Sequence, residues 1–110
     1  MTDLCIQIQP SRTHGIDAAE VGKVAEDLGA ADGLVSRFAI VPGEGWTNLM
    51  FATPKPAALW ALLWRELFGH AAFGECLREC SIATCEGAHS WDDYLLLHHF
   101  DQALPLDRFP

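Results

Sequence analysis

Apolar and polar positions alternate from the first residues of the chain. Leu4, Ile6 and Ile8 fall on one side of a two-residue period and Cys5, Gln7 and Gln9 on the other, the pattern of a strand with one buried face. Pro10 and the polar run from Ser11 to Gly15 end it. The period then lengthens to that of a helix, with Val21, Val24, Ala25 and Leu28 on one stripe. Asp17 can cap this helix, Glu20 can complete a capping box, and Ile16 and Val21 are placed as a hydrophobic staple. Gly29 suits the position just past the end, so the pattern predicts a helix over Ala18–Leu28.

Two strands are predicted next, Val35–Val41 and Trp46–Thr53, joined by the turn residues Pro42, Gly43, Glu44 and Gly45. Pro54 and Pro56 stop the pairing and open a helix over Ala57–Phe68 that is apolar nearly all round. Leu59, Leu63 and Leu67 form one row on it, and Trp60, Trp64 and Phe68 an adjacent one. Gly69 breaks the helix, and Phe73, Cys76, Leu77 and Cys80 repeat its period in a short third piece. One unbroken helix to Cys80 would be about 36 Å long, too long for a domain of this size. Ser81–Glu86 and Asp93–Phe100 read as closing strands, followed by an irregular tail over about 102–110.

Strand, helix, strand, strand, helix, strand, strand is the ferredoxin-like βαββαβ plan of the α+β class with an additional C-terminal strand. It predicts one α/β sandwich domain over 1–110, an antiparallel sheet and helices on one face. Several strands are apolar on both sides. Phe38 and Ile40 oppose Ala39 and Val41, Leu49 and Phe51 oppose Trp46 and Met50, and Leu95 and Leu97 oppose Tyr94, Leu96 and Phe100. A face left open by the helices would then be an association or ligand surface, unless the fifth strand, the tail or the third helix covers it.

Charge narrows the partners. Fifteen acidic against seven basic residues give a formal net charge of −8 over 110 residues. Five acids and only Lys23 lie between Asp17 and Asp32, and five acids with no Lys or Arg between Glu86 and Asp107. Such a field repels nucleic acid and anionic membrane and attracts a basic partner or a cation. The longest apolar stretch, Pro56–Trp64, is far short of the ~20 residues that span a bilayer. The N-terminal residues lack a secretory pattern, which points to a cytoplasmic chain and four reduced cysteines.

Candidate chemistry is sparse. Cys76, Cys80, Cys85 and His89 have the residue types of a zinc site, but their spacing lacks a tight Cys-x2–4-Cys knuckle on both sides and favours core packing. No metal and no cofactor is therefore expected. His98 and His99 point to opposite faces of one strand; either could act as a general base, or sit half-buried on a backbone carbonyl. Trp46, Glu86, His89, Trp91, Asp92 and Asp93 mix aromatics with charge and are the candidate binding residues. Phosphate-binding glycine loops and serine-nucleophile motifs do not occur. The expected function is an acidic protein-interaction or regulatory domain, of the inhibitor or immunity type, that binds a basic partner. The alternative is a small dimeric enzyme or ligand-binding protein with its pocket on the open sheet face. Self-association through that face or through the Trp60/Trp64/Phe68 row is the other partner expectation.

Overall fold

The computed structural model describes residues 1–87 and 93–109. Its central element is strand β1 (Thr2–Ile8), whose two-residue period buries Leu4, Ile6 and Ile8 completely. Strands β3 (Thr47–Thr53) and β4 (Ser81–Glu86) flank it, with β2 (Arg37–Pro42) and β5 (Tyr94–His99) outside them. The order is β2-β3-β1-β4-β5, and every pairing is antiparallel.

Helices α1 (Ala18–Ala31), α2 (Pro56–Glu66) and α3 (Gly74–Cys80) cover the face that carries Leu4, Ile6 and Ile8. Val21 and Ala25 of α1, Leu59 and Leu63 of α2, and Leu77 of α3 join Leu49 and Phe51 in one buried cluster. Removing this apolar surface from water is the main drive for the fold. The fold is thus α+β, a five-stranded antiparallel sheet with its helices on one side. None of the helices among the described residues is long and apolar enough to cross a membrane.

Several boundaries differ from the sequence pattern: α2 runs Pro56–Glu66 rather than Ala57–Phe68, β5 runs Tyr94–His99 rather than Asp93–Phe100, and three others differ for a packing reason. Asp17 caps α1 as expected, its Oδ1 accepting the Ala19 N–H at 2.9 Å, but the helix runs on to Ala31 instead of stopping at Leu28. Gly29 lies buried inside it because Val35 leaves no room for a side chain, coming within 2.5 Å of where a Cβ would stand. The residue that ends the helix by its backbone is Gly33, at φ +64°. Val35 is spent on Gly29, so β2 starts at Arg37. Trp46 closes the β2–β3 turn by accepting the Gly43 N–H at 2.8 Å, and β3 starts one residue later. The break at Gly69 and the separate α3 follow the expected pattern.

Among the described residues the tail holds no regular element, yet it is not loose. Asp107 donates its N–H to the Leu96 carbonyl at 2.8 Å, and its Oδ2 accepts the Leu96 N–H at 2.8 Å. Phe109 packs on the core. The tail thereby satisfies the outer edge of β5, which would otherwise offer unpaired groups to another strand.

Among the described residues, the second sheet face carries no helix. Register places Ala39, Met50, Cys5, Thr84 and Leu96 in one row across it, and Val41, Asn48, Gln7, Ile82 and His99 in the next. Its apolar groups are interrupted by Gln7, Asn48 and Thr84, so this face is more mixed than the alternation of single strands suggests.

Two glycines on α1 test the packing account. A Cβ at Gly22 would meet the end of the Ile40 side chain at 2.6 Å, on an edge strand where it can swing aside. A Cβ at Gly29 would meet the stiff, branched Val35. Alanine gains about 1 kcal/mol of helix propensity over glycine, and overpacking costs about 1–3 kcal/mol. Gly22→Ala should therefore lie within about 0.5 kcal/mol of the parent in urea unfolding, and Gly29→Ala should lose about 1 kcal/mol. Equal effects would contradict the assignment.

Candidate functional site

The site begins with a fault in the β4–β5 ladder. Thr84 pairs with Leu96 but Ala83 pairs with His98, so Leu97 is an extra residue that the ladder skips. Strict alternation puts His98 on the same side as Leu96. The bulge instead turns both Leu97 and His98 towards the helices, where both are buried, and leaves His99 in the open-face row.

His98 lands among aromatic rings. Its centroid is 5.6 Å from Trp64 and 5.1 Å from Phe68, and Trp64 and Phe68 are themselves 5.2 Å apart. Its Nε2 is 2.9 Å from the Arg78 carbonyl, which requires the Nε2–H tautomer. Burial lowers its pKa below the ordinary histidine value. The carbonyl bond opposes that shift, and the neighbouring His99 and Arg78 add to it. His98 is therefore a neutral imidazole at neutral pH.

Around His98, between α2, α3 and the segment after β5, a cleft of about 440 Å³ opens. Trp64 walls one side and remains 46% exposed, whereas Phe68 is fully buried and Trp60 half-buried. The Trp60/Trp64/Phe68 row is thus mostly core, and Trp64 is the member that reaches solvent. Glu75 and Glu79, four residues apart on α3, and Asp101 after β5 supply carboxylates to the lining. Arg78 also borders the cleft, but its guanidinium donates to the Phe68 carbonyl. The ion pairs found among the described residues, Lys23–Asp27 and Arg65–Glu66, leave all three cleft carboxylates unmatched by a cation. The far end is fixed by Arg12, which lies 3.8 Å over the Phe100 ring, and by His99, whose Nδ1 accepts the Asp101 N–H at 2.9 Å.

The cysteines do not converge. Cys80 and Cys85 are buried, while Cys76 is partly exposed with its Sγ 3.5 Å from the His14 carbonyl oxygen. Burial pushes the thiols of Cys5, Cys80 and Cys85 up to about 11, so they are protonated at neutral pH and poor metal ligands. Among the described residues no three His, Cys, Asp or Glu side chains form a metal-binding group. Candidates His89, Trp91 and Asp92 lie outside the described residues.

The remaining candidate binding residues are scattered. Trp46 sits in the β2–β3 turn with its indole over Gly43. Glu86 is at the opposite end of the sheet, where its Oε1 accepts the Asp3 N–H at 2.6 Å. Asp93 accepts the Gly87 N–H through its carbonyl at 2.6 Å. None of these three lines the cleft. The cleft carboxylates carried one sequence signal that strand-centred reading passes over, the helical spacing of Glu75 and Glu79. No protein-family model, no curated protein and no solved structure matches the chain.

Two measurements check the electrostatics. A depressed histidine pKa favours the neutral form in the fold, so that stability is complete above the unfolded value of about 6.5 and is lost as pH falls through the folded value. The urea midpoint should fall between about pH 7 and about pH 5, and His98→Leu should flatten that slope. An unchanged slope in the variant would refute the assignment. Brief iodoacetamide labelling at neutral pH, read by mass spectrometry, should modify Cys76 first and reach Cys80 and Cys85 only on unfolding. Early labelling of Cys85 would contradict its burial.

Proposed function

We propose that this chain is an acidic interaction domain that binds a protein partner by taking a basic side chain into the cleft beside His98. One observation carries the reading: a half-exposed indole and three carboxylates that form no ion pair among the described residues share the lining of a single cleft. A lysine or arginine inserted there would meet the Trp64 face, a favourable cation–π contact, in a cleft whose lining also holds Glu75, Glu79 and Asp101. The neutral His98 behind Trp64 adds no opposing charge, and the Arg78 guanidinium, held on the Phe68 carbonyl, is outnumbered by the three carboxylates of the lining. The net charge of −8 extends the attraction beyond the cleft and would speed encounter with a basic partner.

The scaffold reading that accompanies this is the ferredoxin-like plan with one added strand. It is supported by the order β2-β3-β1-β4-β5, in which the added β5 lies beside β4. In that plan the cleft lies at the edge lengthened by β5, so the site depends on the element the basic plan lacks.

Isothermal titration with arginine-rich and glutamate-rich peptides of equal length tests the proposal. The arginine-rich peptide should bind, with affinity that falls as salt is raised. Glu75→Gln combined with Glu79→Gln should weaken it about 10-fold, and Trp64→Ala by a similar factor. Both glutamates are exposed, so the double variant should keep the parent's melting temperature. Equal binding of the two peptides, or no loss in the glutamate variant, would sink the reading.

A further inference from the structure

The helix-free sheet face is self-complementary, and we propose that it is the contact of a two-fold symmetric homodimer. The axis would run parallel to the strands, between β1 and β3. Sheets packed face to face lie about 10 Å apart with their strands nearly aligned, so lateral strand positions decide which residues meet. With strands in the order β2-β3-β1-β4-β5, this axis sets β3 over β1 of the partner subunit and β2 over β4 of the partner subunit.

The registers within the sheet then fix the contacts row by row. In the middle row Met50 faces Cys5 of the partner subunit and Ala39 faces Thr84 of the partner subunit. In the next row Val41 faces Ile82 of the partner subunit, and Asn48 faces Gln7 of the partner subunit. In the last row Arg37 approaches Glu86 of the partner subunit, while Asp3 meets only the small Ala52 of the partner subunit. Apolar residues thus meet apolar or small ones, an amide meets an amide, and the cation Arg37 meets an anion. By symmetry each contact occurs twice.

Three further observations agree. Arg37 is exposed and belongs to neither ion pair found among the described residues. It borders a hollow of about 400 Å³, floored by Ala39, Met50 and Ala52, into which the partner subunit's Glu86 would reach. Asn48 Oδ1 is shielded from solvent and has no hydrogen-bond partner, a costly state that its neighbour across the axis can relieve. The tail docks at the outer edge of β5 through Leu96, and its Leu106, Asp107 and Arg108 line a hollow with Trp60 and Trp64 of α2 on the helix side, away from this face.

Charge exchange tests the register directly. Analytical ultracentrifugation of the full chain should show a species of twice 12.1 kDa. Arg37→Glu alone and Glu86→Arg alone each place like charges opposite one another twice, and each should weaken the dimer about 100-fold or more. The double variant, Arg37→Glu with Glu86→Arg, restores opposite charges and should recover most of the parent's affinity. Circular dichroism confirms that each variant is folded, as both positions are exposed. A parent chain that stays monomeric at high concentration overturns the proposal. So does a dimer indifferent to the single exchanges, or one that the double exchange fails to restore.

Discussion

Because an antiparallel ladder alternates faces residue by residue, a single skipped position reverses the facing of everything beyond it. In β5 that position is Leu97. Leu97 and His98 both turn inward, which brings an imidazole against Trp64 and Phe68 and onto the Arg78 carbonyl. The strand beyond the bulge then leads to Asp101 and back along the outer edge, where Asp107 closes the groups of Leu96. Were Leu97 paired in regular alternation, His98 would face away from the helices, and the cleft would lose its inner wall. The bulge costs one regular pair of the ladder, and it sits beside the site, as bulges often do.

The two faces and two edges of the sheet have separate physical fates. One face is sealed by three helices whose apolar rows bury Leu4, Ile6 and Ile8 of β1 completely. One edge is sealed by the tail through paired backbone groups of Leu96. What is left open is a mixed apolar and amide face with one cation at its margin, and a cleft in which carboxylates outnumber available cations. Neither is what packing alone would produce. An exposed indole beside unmatched carboxylates gains nothing for the fold itself, since surface charges of one sign repel. Its sense lies in what it can receive.

How far the sequence foretold this depends on which force set each feature. Where burial decided, the period was legible: Leu4, Ile6 and Ile8, and the stripe of Val21 and Ala25. Asp17 announced the start of α1 because a cap acts within one turn. The end of α1 was misplaced because a glycine serves two purposes. Gly29 admits Val35 and Gly33 supplies the positive φ, and a sequence does not say which purpose holds. The bulge was illegible for a deeper reason. Leu95, Leu96 and Leu97 are alike, so no glycine, proline or change of polarity marks the skipped residue, and the partner strand alone fixes it. The cleft was therefore hidden too, since it gathers Trp64, Glu75 and Asp101 from three separate elements. His98 and Trp64 were visible as residues, but their meeting was not. The cysteine series shows the reverse, residue types without convergence.

The central claim is that the cleft beside His98 receives a basic side chain. A two-dimensional ¹H–¹⁵N spectrum recorded during titration with an arginine-rich peptide tests it most directly. Binding in the cleft should shift the Trp64 indole N–H and the amides of Glu75, Glu79 and Asp101 together with one affinity, while the Gly43–Trp46 turn stays in place. Shifts that spare α3 and Trp64, or that spread evenly over every acidic residue, would contradict it.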